Sequence, residues 1–167
     1  VEQYVAGREF TVALFQTENG FKVLPALEVV FLNTEDHFPV YSYEIKQDWD
    51  KNVRYDCPAN IDKRLERTLA SVSKRAFRAI GCRDYARVDI RMGGPGNRVP
   101  YVLEVNPLPG LTPNFSDMCL IANAAGIPYD SLIATILRYA GRRSRRRLRF
   151  PAPKVAAAVA EPPISDP

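Results

Sequence analysis

Between residues 87 and 106, two short β-branched runs flank a cluster of glycine, proline and asparagine, the pattern of a β-hairpin. With Gly96-Asn97 as the turn, paired residue numbers sum to 193. Asp89 then faces Glu104, and Arg87 faces Asn106. Side chains alternate along a strand, so Arg87, Asp89, Arg91, Glu104 and Asn106 share one face. Val88, Ile90, Leu103 and Val105 share the other and read as core. Upstream, apolar runs at 1–5 and 9–15 flank a tight hairpin turn at 6–8, and 22–32 continues the sheet. The stretch 33–60 is less regular, with Tyr41, Tyr43 and Trp49 among charged residues.

Helical periodicity takes over at 61–80. Ile61, Leu65, Leu69, Val72, Ala76, Phe77 and Ile80 form one stripe, with Asn60 as the cap and Gly81 as the stop. Ser116 or Asp117 caps a second helix, which carries Met118, Leu120, Ile121, Ala124 and Ala125 and ends at Gly126. A third helix spans 129–140, with Leu132, Ile133, Ile136 and Leu137 inward and Gly141 as its end. These elements predict an α/β (α+β) fold, a mostly antiparallel sheet with helices packed on it. Residues 1–141 form one domain, and 142–167 a disordered tail.

Charge changes the picture only at that tail. The net charge is +4, but six arginines and Lys154 from Arg142 onward stand against Glu161 and Asp166. The body is therefore nearly neutral, and a tail makes the chain basic. At 46% hydrophobic and 25% charged, the composition is that of a globular protein. No apolar run approaches membrane-spanning length, so no membrane partner is expected. Cys57, Cys82 and Cys119, odd in number and widely spaced, fit no disulfide framework or zinc spacing; they read as reduced thiols of a cytoplasmic protein. The single histidine, His37, reads as a loop residue. The opening residue, Val1, and the strand-like start suggest a piece of a longer polypeptide.

Two acids, an amide and a guanidinium on one strand face make a hard-oxygen site for a divalent cation with an anion beside it, as Mg²⁺ with phosphates would require. The same residues also read as a solvated face with cross-strand charge pairs. The exit NPLPGLT at 106–112 is proline-locked and ends in Gly110, where backbone can approach a ligand closely.

Four segments occur in order: VEQYVAGREFTV at 1–12, YEIK at 43–46, GCRDYARVD at 81–89 and LEVNPLPGLT at 103–112. Together they resemble the C-terminal half of ATP-grasp ligases of the D-alanine–D-alanine ligase type, over roughly residues 1–140. The resemblance implies an ATP-dependent carboxylate–amine ligase. ATP would phosphorylate the carboxylate, the amine would attack the acyl phosphate, and two Mg²⁺ ions (Mn²⁺ as an alternative) would hold the phosphates.

By the same resemblance, the backbone of Gln3, Tyr4 and Val5 would meet the adenine edge, Glu9 the ribose hydroxyls and Lys46 the transferred phosphate. Asp89, Glu104 and Asn106 would ligate Mg²⁺, with Leu103 packing near the adenine. Arg87 and the backbone N–H of Gly110 would stabilise charge on the acyl phosphate and the tetrahedral intermediate. Outside that setting, Glu9 and Lys46 read as surface residues. Gln47, Leu108 and Ser116 are the substrate-side candidates. Gln47 stands where the peptidoglycan ligases typically carry tyrosine or an equivalent specificity residue, and 113–117 replaces a serine-bearing loop. The resemblance also implies small amino-acid-like carboxylate and amine substrates, an N-terminal ATP-grasp half beyond this sequence, a homodimer, and a fragment inactive on its own.

Two other readings stand beside it. One is a nucleotide- or metal-binding module without ligase activity. The other is a protein whose arginine run binds polyanions; that run lacks interleaved aromatics for stacking bases, which argues against nucleic acid.

Overall fold

The computed structural model describes residues 3–17, 20–32 and 53–143. Six strands form one antiparallel sheet: β1 (Glu9–Thr17), β2 (Gly20–Val23), β3 (Leu27–Phe31), β4 (Val53–Asp56), β5 (Tyr85–Gly93) and β6 (Val99–Asn106). The order is β4-β3-β1-β5-β6, with β2 sharing one edge of β1 with β3. The run 22–32 is therefore two strands, broken at Pro25. Proline has no N–H for the ladder, and the register to β1 shifts by one residue across it. β4 arises inside the stretch read as irregular. Residues 3–8 are not a strand, so no hairpin forms at 6–8. Tyr41, Tyr43, Trp49 and His37 lie outside the described residues.

Helix α1 (Lys63–Ala79) covers one face of the sheet. Its cap is Asp62 and not Asn60: the Asp62 carboxylate accepts from the Leu65 N–H at 2.7 Å. At the other end Gly81 takes a left-handed φ of +70°. Cys82 N then donates to Phe77 O, and Gly81 N to Arg78 O, closing the helix. Leu69 and Phe77 are buried against Phe10, Val12, Leu14, Val88 and Ile90, and Ser73 is buried on the same helix. Ile80, expected inward, is 56% exposed because it is the cap residue and has left the helical stripe.

Helices α2 (Asp117–Ala124) and α3 (Tyr129–Arg143) cover part of the opposite face. There Met118, Ile121 and Leu132 pack on Ala13, Phe15, Leu27 and Val29. Gly126 closes α2 in the same left-handed manner as Gly81. Gly141 does not end α3, which continues to Arg143, and Leu137 is exposed. No single helix among the described residues is long and apolar enough to cross a membrane. The pair α2 and α3 passes that test only jointly, bent by 110°, and its Met118, Ile121 and Leu132 are packed on the sheet. Cys57, Cys82 and Cys119 are free, and burial pushes the Cys57 thiol up to about 11.

Candidate functional site

β5 and β6 pair with Arg87 opposite Asn106, Val88 opposite Val105 and Asp89 opposite Glu104, the expected register. Beyond Asp89 the ladder slips. Ile90 faces Val102 and Arg91 faces Tyr101, so Leu103 is an extra residue bulged out of β6. The connection is not a two-residue turn but a short 3₁₀ turn, Pro95–Asn97, with left-handed Gly94, Gly96 and Asn97. Leu103, expected in the core, is 51% exposed on β6, the last strand of the described sheet, whereas Val88 and Ile90 are fully buried.

The polar face is a connected cluster. Arg87 donates to both oxygens of Asp89, from Nε at 3.1 Å and Nη2 at 2.8 Å. Its Nη2 also reaches Glu104 Oε1 at 3.3 Å, and Nη1 reaches Asp117 Oδ2 at 3.0 Å on the first turn of α2. Asn106 Nδ2 donates to Glu104 at 2.7 Å and to Asp89 at 3.3 Å. From the neighbouring strand, Thr11 Oγ1 donates to Asp89 at 3.0 Å. One guanidinium thus faces three carboxylates, an excess of negative charge suited to further cations. Burial pushes the Asp89 carboxyl up to about 6, against the downward pull of Arg87 and Thr11. Burial also opposes the Arg87 charge, but its acidic neighbours outweigh it and hold its pKa above the ordinary value.

One step along the same face, Glu9 lies opposite Arg91 in the β1–β5 ladder and pairs with it at 3.2 Å; both are buried. The Arg91 guanidinium also lies 5.1 Å from the Tyr4 ring. Val5 leans on Gly93, and a Cβ on Gly7 would fall 1.8 Å from Met92 O. These contacts seat Tyr4 and Val5 against the far end of β5, beside Glu9; Gln3 is exposed. Gly110 is held next to the cluster: a Cβ there would meet Ser116 Oγ at 2.8 Å. Ser116 Oγ accepts from Thr112 N at 2.9 Å and so pins this turn beside Asp117. Leu108 is 82% exposed. Lys46 and Gln47 lie outside the described residues.

Asp117 and Thr11 were not singled out from the sequence as site residues. Thr11 had a signal, a lone polar residue in an apolar strand on the parity of Glu9. Asp117 had none beyond its cap position, because its partner lies thirty residues away.

Comparison with known proteins bears on the family and the fold. The family described as "D-ala D-ala ligase C-terminus" matches residues 1–138. The chain is 42% identical over 143 residues to the uncharacterized protein y4sG of Sinorhizobium fredii, covering 86% of this chain and 41% of that protein. It is 38% identical to a D-alanine–D-alanine ligase of Thermotoga petrophila, covering 84% and 43%. Its fold matches the D-alanine–D-alanine ligase of Bacillus anthracis complexed with ATP at a TM-score of 0.62 and 27% identity, over 84% of this chain and 40% of that one. The chain spans about two fifths of the length of these relatives. The antiparallel sheet and three helices are those of the ATP-grasp C-terminal domain in such ligases. On its sequence and on its fold alike, the chain belongs to the D-alanine–D-alanine ligase C-terminal family.

Proposed function

We propose that this chain is the C-terminal ATP- and Mg²⁺-binding half of an ATP-dependent carboxylate–amine ligase that works through an acyl phosphate. The observation that carries this is the Asp89–Glu104 pair, set in register on adjacent strands, tied by Asn106 and bridged by Arg87. The donor set fits Mg²⁺, which takes one or two carboxylates and completes its shell with water and substrate phosphates. Among the described residues no three His, Cys, Asp or Glu side chains form a metal cage. Mn²⁺ takes the same oxygens. Bound to Asp89, Glu104 and Asn106, the ions supply charge neutralisation for phosphoryl transfer.

The chain's own residues position and polarise. Glu9, fixed by Arg91, accepts hydrogen bonds from the ribose. Gln3, Tyr4 and Val5 border the adenine, with Leu103 packing near it, and Lys46 contacts the transferred phosphate. Arg87 stabilises negative charge on the acyl phosphate and then on the tetrahedral intermediate formed when the amine attacks; the Gly110 N–H donates to the same oxygen. Gln47, Leu108 and Ser116 border the amino-acid-like substrates, Ser116 chiefly by holding the Gly110 turn.

Turnover needs a second jaw, so the chain alone binds nucleotide without ligating. The longer protein is cytoplasmic and dimeric in this reading. A binding module without ligase activity is the alternative, separated by turnover once an N-terminal half is supplied. Calorimetry tests the site itself. Mg²⁺-dependent ATP binding that vanishes in Asp89→Ala/Glu104→Ala supports it, whereas binding unchanged in that variant overturns the metal assignment.

A further inference from the structure

We propose that the solvent face of α1, on the side of the sheet away from Asp89, is a groove for a linear oligophosphate. α1 carries six basic residues against a single acid, Glu66, and Lys63 already holds that acid at 2.9 Å. Arg64, Thr68, Ser71 and Arg75 recur at helical spacing and form a stripe about 16 Å long.

They line an open cavity of about 620 Å³ together with Arg67. A second cavity of about 350 Å³ shares Arg64 and Thr68 and extends the groove to Asn97 and Arg98 on the β5–β6 connection. Arg8, Arg54, Arg87 and Arg91 all have carboxylate partners. Among the described residues Arg64, Arg67, Arg75 and Arg98 form no ion pair. Guanidinium groups converge here against a single lining carboxylate, Asp62.

The lining selects the class of anion. It holds no aromatic ring on which a base could stack, so the groove suits an anion chain without a base requirement. Guanidinium forks match phosphate oxygens in pairs, and Ser71 adds a hydroxyl between the cationic ends. A phosphoanhydride chain brings dense charge without side chains to order, whereas an acidic peptide must immobilise each carboxylate. Asp62 borders the second cavity, but its carboxylate is engaged as the α1 cap.

The test is calorimetric titration of tripolyphosphate into the full chain in EDTA, which removes the metal-dependent site. Arg64→Gln/Arg67→Gln/Arg75→Gln, with helical content checked by circular dichroism, should bind at least tenfold more weakly and with a shallower salt dependence. A variant with the six arginines of 142–149 replaced by glutamine should keep the groove's binding. Tripolyphosphate bound as tightly as ATP assigns an inorganic chain, and tighter ATP assigns a nucleotide's phosphates. Unchanged affinity in the triple variant overturns the groove. Polyglutamate or single-stranded DNA binding as tightly per charge overturns the oligophosphate assignment.

Discussion

Asp89 occupies a position that stability alone would not choose. Its carboxylate is buried beside Glu104 and Asp117 with one arginine among them, and its pKa rises to about 6. In EDTA the folded chain keeps a proton on Asp89 up to that pH, while the unfolded chain releases it near the ordinary value of about 4. The native state therefore binds more protons between those limits, and stability falls as the pH rises through about 4 to 6. Asp89→Asn should flatten this slope and, at pH 8 without metal, stabilise the fold by up to about 3 kcal/mol, less what the lost Arg87 pair contributes. It should also weaken Mg²⁺-dependent ATP binding. Denaturant melts at pH 4 and pH 8 check the first effect and calorimetry the second. An Asp89→Asn variant less stable than the parent at pH 8 would show that the Arg87 pair outweighs burial.

At the scale of elements, α1 offers a paired comparison. Leu69 and Ser73 are both buried one turn apart, yet Ser73 Oγ has no hydrogen-bond partner among the described residues. An unpaired buried hydroxyl costs free energy. Ser73→Ala should therefore be neutral or stabilising by up to about 1 kcal/mol, while Leu69→Ala should cost about 2 to 5 kcal/mol by leaving a cavity. Urea melts of the two variants decide. Most of α1 was legible because its 3.6-residue stripe is long and closes on a glycine. Its cap was misplaced by two residues, since Asn60 and Asp62 both suit the position and only the Leu65 N–H distinguishes them. β4 was not legible: it is four residues at a sheet edge, with a pattern that depends on its partner β3. The break at Pro25 could have been read, because proline interrupts an inner ladder wherever it falls.

At the scale of the molecule, the sheet separates two chemistries. α1 covers the face carrying Phe10, Val12, Val88 and Ile90, while α2 and α3 cover only part of the other. The part those two helices leave holds Glu9, Thr11, Arg87, Asp89, Arg91, Glu104 and Asn106, of which Glu9, Thr11, Asp89 and Arg91 are buried. The hairpin alone was enough to gather five of these, because local register fixes which side chains share a face. Thr11 and Asp117 join through β1 and α2, whose placement comes from packing and not from spacing. The bulge at Leu103 carries one more consequence. Ile90 already faces Val102 and Asp89 already faces Glu104, so Leu103 is surplus length, and its deletion leaves a regular ladder with every partner kept. The chain missing Leu103 should fold and retain Mg²⁺-dependent binding of ATP, with an affinity lowered by the lost apolar contact to the base. Calorimetry checks both. A one-residue deletion elsewhere in β6 would turn its side chains to the wrong face; at this position the strand has a spare link, which can be lost while Asp89 and Glu104 stay opposite each other.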